Sequence, residues 1–338
     1  MKIDQQDKII ALTDGSVGYK GKSNALKVIK SAISVYALKG ELVAVIGENG
    51  IGKSTLLRTI AGFQPSVGGD FLICGKQISA YREKELAVLM SFVSTEIIKV
   101  SNLSVFDLVS LGRYPYTNWF GKLLDEDRCL IEEAIIAVGL QGYEYRMVNH
   151  LSDGERQKVM IARSLAQNTE IIVLDEPTAF LDLSNKYEIV HILHRLAHEK
   201  EKTILFSTHD LTTAIAEADR LWLMLGNSVE QGAPEDLILN GNFDNIFHSE
   251  YLYFDQEKGD FRVRKLTKRA AHVTGEGITL DWTIKALARN GFEVVDSTDP
   301  ADITISVNYP AWTVIHLSTQ TKFNSLLSVC RYLNSLER

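Results

Sequence analysis

Long apolar runs are missing from this chain of 338 residues. The longest, such as ELVAVIG at 41–47, are far too short to cross a bilayer, so any work at a membrane would have to go through other subunits. The N-terminal MKIDQQDKII lacks the apolar core of a secretory signal. Cysteine is scarce: Cys74, Cys129 and Cys330 are scattered, with no CxxC pair. That points away from disulfide and thiolate–metal chemistry and toward a reducing, cytosolic setting. Net positive charge is lacking as well, and a formal charge of −7 argues against a general nucleic-acid binder. With 45% hydrophobic and 23% charged residues the composition is that of a globular protein. The length exceeds what a single domain usually needs.

Short apolar runs are what the chain does have. ELVAVI (41–46), IIVL (171–174) and TILFST (203–208) read as buried strands. They alternate with helical patterns, one running from about Lys53 to Ala61 and stopped by Gly62 and Pro65. Strands alternating with helices predict a mostly parallel sheet covered by helices, an α/β fold. Glycines around GGDFLICGKQI (68–78) suggest a small antiparallel β region, and the span from about 84 to 165 reads as an inserted, mainly helical subdomain. A break near 257 precedes the basic run RVRKLTKR (262–269) and a small α/β module. In that module AAHVT, a helix over about 279–290, three strand-like runs (FEVV, DITISV, WTVIHL) and a helix over 323–336 follow one another. The expected domains are therefore 1–257 and 258–338.

The stretch GENGIGKST, Gly47 to Thr55, fits GxxxxGK[ST] between a predicted strand and a predicted helix. Gly47, Gly50 and Gly52 let the backbone, Asn49 included, curl so that N–H groups face a phosphate. Lys53 adds a point charge at the β- and γ-phosphates, and the Ser54 hydroxyl, with Thr55 beside it, can ligate Mg²⁺. In IIVLDEP, Asp175 ends a buried strand, where a carboxylate can hold Mg²⁺ through water. Glu176 follows as a candidate general base for an attacking water. Two solvated turn acids before Pro177 would be the plainer reading, but the phosphate loop upstream favours the chemical one. His209, in FSTHD, ends a strand that would open into the same crevice. LSDGERQKV (151–159) has Ser152 and Glu155 in capping-box spacing before an apolar helix. A helix start with Gly154 beside it can also bind an anion.

As a set and in this order, GENGIGKST, LSDGE, VLDEPTAFLD and STHD resemble the motifs of ABC-transporter ATP-binding subunits, over roughly residues 8–240. The resemblance implies an ABC ATPase core using ATP and Mg²⁺. It implies that Ser152 and Gly154 meet a nucleotide cradled by a second copy, so that a head-to-tail homodimer encloses two ATP molecules. It also implies that Tyr19, in VGYKG, stacks on adenine and that Asp182, in AFLD, belongs to the loop crossing between subunits.

Two departures stand out. Asp153 and Glu155 replace the Gly and Gln of the usual LSGGQ. By spacing, Thr95 in FVSTE stands where the family has a glutamine linking the core to the helical subdomain, with Glu96 as a neighbouring substitute. LVSLGRYPYTNWFG (108–121) resembles the same stretch in importers of iron chelates, haem and cobalamin, and its aromatics and Arg113 are expected to line a groove for a permease helix. The resemblance implies polytopic permease partners, an extracytoplasmic binding protein and a place on the cytoplasmic face of the membrane. The alternative is a non-transport ABC ATPase, such as one of iron–sulfur assembly.

Overall fold

The computed structural model describes residues 7–20, 26–94, 102–117, 122–226, 228–246, 251–256, 258–263 and 269–336. Two long strands, β1 (Lys8–Lys20) and β2 (Leu26–Leu38), pair antiparallel and come before β3 (Leu42–Gly47) and α1 (Lys53–Ile60). Then follow β4 (Gly68–Ile73), β5 (Lys76–Gln77), α2 (Glu83–Leu89) and β6 (Met90–Val93). A helical insertion comes next: α3 (Val105–Ser110), α4 (Asp125–Ala137) and α5 (Asp153–Ala166). The chain returns through β7 (Ile171–Leu174), α6 (Leu183–Lys200), β8 (Thr203–Ser207), α7 (Leu211–Glu217), β9 (Arg220–Met224), β10 (Val229–Gly232) and α8 (Pro234–Leu239).

The central sheet has the order β10-β9-β3-β8-β7-β6, parallel except for the edge strand β10. Every residue of β3, β7 and β8 is buried, as expected of parallel strands covered on both faces. The second sheet is antiparallel, β2-β1-β4-β5. Leu56, Leu57 and Ile60 of α1 share one core with Ile10, Val17 and Ile33 of the antiparallel sheet and Val45, Val173 and Trp222 of the central one. Side chains also join the sheets. Lys30 Nζ donates to the carbonyls of Leu225 and Gly226, Gln231 Oε1 accepts from the Tyr36 N–H at 2.9 Å, and Trp222 Nε1 donates to the Tyr36 carbonyl at 3.2 Å.

The span 84–165 is not helical throughout. Met90–Val93 is the edge strand of the central sheet, and its Ser91 turns inward to bond Ser164 at 2.6 Å and Thr169 at 3.1 Å. The antiparallel region is also larger than the run at 68–78, because β1 and β2 flank it.

Arg113 does not line an outer groove. Its guanidinium pairs with Asp127 at 2.8 Å, both side chains only 9% exposed, and donates to the Ala166 carbonyl at 2.9 Å. It thereby staples three parts of the helical insertion together. Exposed aromatic surface nearby comes from Tyr114 and Tyr116 instead, while Trp119 and Phe120 lie outside the described residues.

The chain divides into two units, residues 1–248 with 254–260, and 249–253 with 261–338. A two-stranded ribbon, β11 (Leu252–Asp255) and β12 (Asp260–Val263), carries residues of each. The second unit contains β13 (Arg269–Thr274), α9 (Gly277–Arg289), β14 (Phe292–Val294), β15 (Ile303–Asn308), β16 (Ala311–His316), β17 (Thr319–Phe323) and α10 (Leu326–Ser335). Its sheet runs β14-β13-β15-β16-β17 around its own core of Ile303, Ile305, Val314 and Leu333. A fourth strand after α9, β17, was not expected; it meets the run expected to be the final helix only at Phe323, and α10 fills most of that run.

Removing one partner of the buried Arg113–Asp127 pair strands a charge, so Asp127→Ala should cost about 3–5 kcal/mol, read from urea unfolding. Replacing both residues by Met and Leu should cost much less. The Asp127 carboxyl is held below its ordinary range, first by the Leu124 N–H and also by Arg113. Its contribution is therefore present above the ordinary carboxylate pKa and lost as pH falls through the acid range. The gap between wild type and Asp127→Ala should shrink accordingly.

Candidate functional site

Three adjacent strands, β3, β8 and β7, end side by side, and the loop after each carries chemistry. The loop after β3 enters α1 through Gly52 at φ 112, with no side chain capping the helix start. Its N–H groups are thus left to an outside acceptor, and the helix dipole favours an anion. Gly47 is needed for space, since a Cβ there would sit 2.6 Å from the Met224 carbonyl oxygen. Lys53, only 4% exposed, arches back over the loop. Its Nζ donates to the carbonyls of Gly47 at 2.8 Å and Glu48 at 3.1 Å and stands 3.4 Å from His209 Nδ1. Burial lowers the Lys53 pKa, and the carboxylates of Glu176 and Asp175 act against that shift. Asn49 and Gly50 form the exposed tip of the loop, and Thr55 lies in the first turn of α1.

After β7, Asp175 is 2% exposed, and its Oδ1 accepts from Ser54 Oγ and from Ser207 Oγ, each at 2.9 Å. Ser207 also accepts the Glu176 N–H at 2.9 Å. Glu176 takes a left-handed φ of 48°, a conformation costing on the order of 1–3 kcal/mol for a residue with a side chain. Its Oε1 lies 2.5 Å from His209 Nε2, and both side chains keep some solvent access. The structure therefore gathers Lys53, Ser54, Asp175, Glu176 and His209 into one connected cluster at the carboxyl end of the sheet. Ser207 is its unforeseen member. The only signal for it was a hydroxyl in FSTHD at the end of an otherwise apolar strand.

The other candidates are local to different elements. Ser152 caps α5: its Oγ accepts the Glu155 N–H at 3.3 Å, while Glu155 Oε2 accepts the Ser152 N–H at 2.7 Å, a complete capping box. Among the described residues, no hydrogen bond joins Ser152 to the Lys53 cluster. Gly154 is buried, and a Cβ there would meet Asn185 Oδ1 at 2.5 Å. Asn185 is in turn held by Asp182, which accepts its backbone N–H at 2.8 Å and its side-chain amide at 3.0 Å while capping α6. Asp182, Asn185 and Gly154 thus form one chain of contacts, and Asn185 was not foreseen. Its signal lay in the Asp-x-x-Asn spacing of a helix start. Tyr19 is half exposed on β1, opposite Lys27 of β2, whose Nζ lies 5.8 Å from the ring centre. Thr95 and Glu96 lie outside the described residues.

The arrangement can hold a polyphosphate on loop N–H groups and Lys53. Ser54 and Asp175 offer hard oxygen donors of the kind Mg²⁺ prefers. Glu176 can accept a proton from water. Glu176→Gln should keep nucleotide affinity and lower the hydrolysis rate by on the order of 10²-fold or more. Ser207→Ala should give an intermediate loss, since it frees both Asp175 and the Glu176 backbone. Steady-state phosphate release alongside nucleotide titration checks both, and near-normal turnover of Glu176→Gln would remove it from the role.

Comparison with known proteins gives matches over most of the chain. Residues 30–179 match the family described as ABC transporter, and residues 268–334 match one described as iron ABC transporter C-terminal domain. An uncharacterized ABC transporter ATP-binding protein of Methanocaldococcus jannaschii is 36% identical, covering 83% of this chain and 96% of that protein. A petrobactin import ATP-binding protein of Bacillus anthracis is 35% identical, covering 70% of this chain and 88% of that protein. The iron(3+)-hydroxamate import ATP-binding protein of Bacillus subtilis is 41% identical, covering 65% and 82%. Among solved structures, a metal-chelate type ABC transporter in an inward-facing conformation is similar with TM-score 0.61 and 28% identity, covering 71% of this chain and 89% of that one. A dimeric bacterial ABC transporter cassette is similar with TM-score 0.58 and 26% identity, covering 67% and 98%.

Proposed function

Since this chain belongs to the ABC-transporter ATP-binding proteins, we propose that it hydrolyses ATP to power the import of an iron complex through membrane permease subunits. The observation that supports this reading is the Lys53, Ser54, Asp175, Glu176 and His209 cluster at one end of the sheet, with the capped start of α5 read as a second phosphate contact. Neither place suffices alone, and two copies arranged head to tail would complete both. Iron-complex cargo is supported by the petrobactin and hydroxamate import relatives and by the match over 268–334.

In the proposed cycle the loop N–H groups and Lys53 hold the β- and γ-phosphates. Ser54 and Asp175 would hold Mg²⁺, whose charge offsets that of the phosphate oxygens when bound. Tyr19 stacks on adenine. Ser152 and the N–H groups at the start of α5 close over the γ-phosphate from the second copy, and Gly154 keeps that helix start against Asn185 and Asp182. Glu176, aimed by His209 and Ser207, takes a proton from the attacking water. Loss of the γ-phosphate removes the partner contact and lets the copies separate. That motion, passed to the permease through the helical insertion, would drive alternating access. An extracytoplasmic binding protein would deliver the iron complex. Among the described residues no helix is long and apolar enough to cross a membrane. In this reading the chain is a peripheral subunit that reaches the membrane through the permease, on its cytoplasmic face.

Ser152→Arg should abolish hydrolysis by bulk and charge at the second phosphate site. Mixed with Lys53→Ala chains, it should recover part of the activity, because each mixed dimer keeps one intact composite site. Full activity of Ser152→Arg alone would contradict the shared site.

The second unit serves, in this reading, as a regulator of association. From 258 onward eleven Lys/Arg face eight Asp/Glu, a net of +3, which leaves −10 on residues 1–257. Opposite charge draws such a module to an ATPase unit, and salt screens the attraction. Deleting 258–338 should leave ATP affinity intact and change nucleotide-free self-association or the salt dependence of the ATPase rate. A truncated protein matching the full chain in both would show the module to be inert.

A further inference from the structure

Lys30 is a buried cation that the reaction described above does not use. It is 6% exposed on β2, and among the described residues no carboxylate pairs with it; its Nζ donates instead to the carbonyls of Leu225 and, at 2.9 Å, Gly226. Burying an ammonium against neutral carbonyls is costly, and an apolar side chain would fill the position at less expense of free energy. Its neighbours explain what the bonds achieve. Leu225 and Gly226 directly follow Met224, whose carbonyl lies 2.6 Å from where a Gly47 Cβ would be. Ile29, next to Lys30, lies 2.8 Å from where a Gly52 Cβ would be. Both walls of the phosphate loop are thus tied to each other through Lys30. The same ribbon carries Tyr19: Val17 is opposite Lys30, and Tyr19 opposite Lys27. A weaker tie, from Gln64 to the Gly18 carbonyl at 3.5 Å and the Thr55 carbonyl at 3.1 Å, runs between the same two bodies.

We propose that Lys30 is a positioning residue that clamps the antiparallel ribbon bearing Tyr19 onto the phosphate loop, fixing the distance between the adenine-stacking surface and the phosphate cradle. The proposal rests on the stacking role given to Tyr19. Burial lowers the Lys30 pKa.

The test uses the full chain and two probes, ADP and pyrophosphate, titrated by calorimetry. Lys30→Met should weaken ADP roughly tenfold, the size of one lost aromatic contact, and change pyrophosphate affinity less than twofold. Lys30→Arg, which keeps charge and donors, should restore most of the ADP affinity. Adding Tyr19→Ala to Lys30→Met should cost far less than Tyr19→Ala costs alone, because both act through one surface. If Lys30→Met does not fold, Lys30→Gln, which can keep one bond, carries the same comparison. Equal weakening of ADP and pyrophosphate, or full additivity, would overturn the proposal. Should Tyr19→Ala weaken ADP while Lys30→Met does not, the clamp alone falls; should Tyr19→Ala have no effect, the stacking role falls and takes the clamp with it.

Discussion

The carboxylate of Asp175 is the group on which the site's geometry depends. A charge at 2% exposure persists only if it is bonded or paired. Ser54 at the start of α1 and Ser207 at the end of β8 both donate to its Oδ1, and Lys53 provides opposite charge nearby. Satisfying this one acid therefore locks the ends of β3, β7 and β8 to one another. Because Ser207 also takes the Glu176 N–H, the same bonds turn the next residue out of the strand line and toward His209. Burial of an acid and aim of a base are one structural event.

The second half of the chemistry follows a different logic. Ser152 satisfies an ordinary need, capping a helix, and Gly154 satisfies another, making room for Asn185. Neither requires a nucleotide to explain it within one chain. Asp182 joins them through Asn185, so contacts link the loop after β7 to the start of α5. The glycine and the capping box each have a structural role within one chain, and the proposed meeting with a nucleotide of another copy is compatible with both.

Legibility from sequence followed burial pattern. Strands buried on both faces, such as β3, β7 and β8, were plain as short apolar runs. The phosphate loop was plain because its chemistry dictates residue types at fixed spacing. The strands β1 and β2 were hidden because register shifts around Asp14, Gly15 and Val17 break their alternation. The edge strand β6 was hidden by its inward Ser91, and β17, with the sequence TQTKF, by lacking an apolar face. Arg113 was misplaced outward because a lone arginine among aromatics gives no sign of Asp127, fourteen residues on. Ser207 acts through hydrogen bonds to Asp175 and the Glu176 N–H on another element, which no local pattern records; Asn185 bonds Asp182 within its own helix start, and only its contact with Gly154 lies beyond the local spacing.

The central claim is that one chain holds two unlike halves of an ATP site, completed by a second copy. It is tested most directly by sedimentation of the full-length Glu176→Gln protein with nucleotide content measured in the same sample. The account predicts a dimer with two bound ATP molecules in ATP and separate chains in ADP. A monomer retaining one ATP per chain at saturating nucleotide would contradict it.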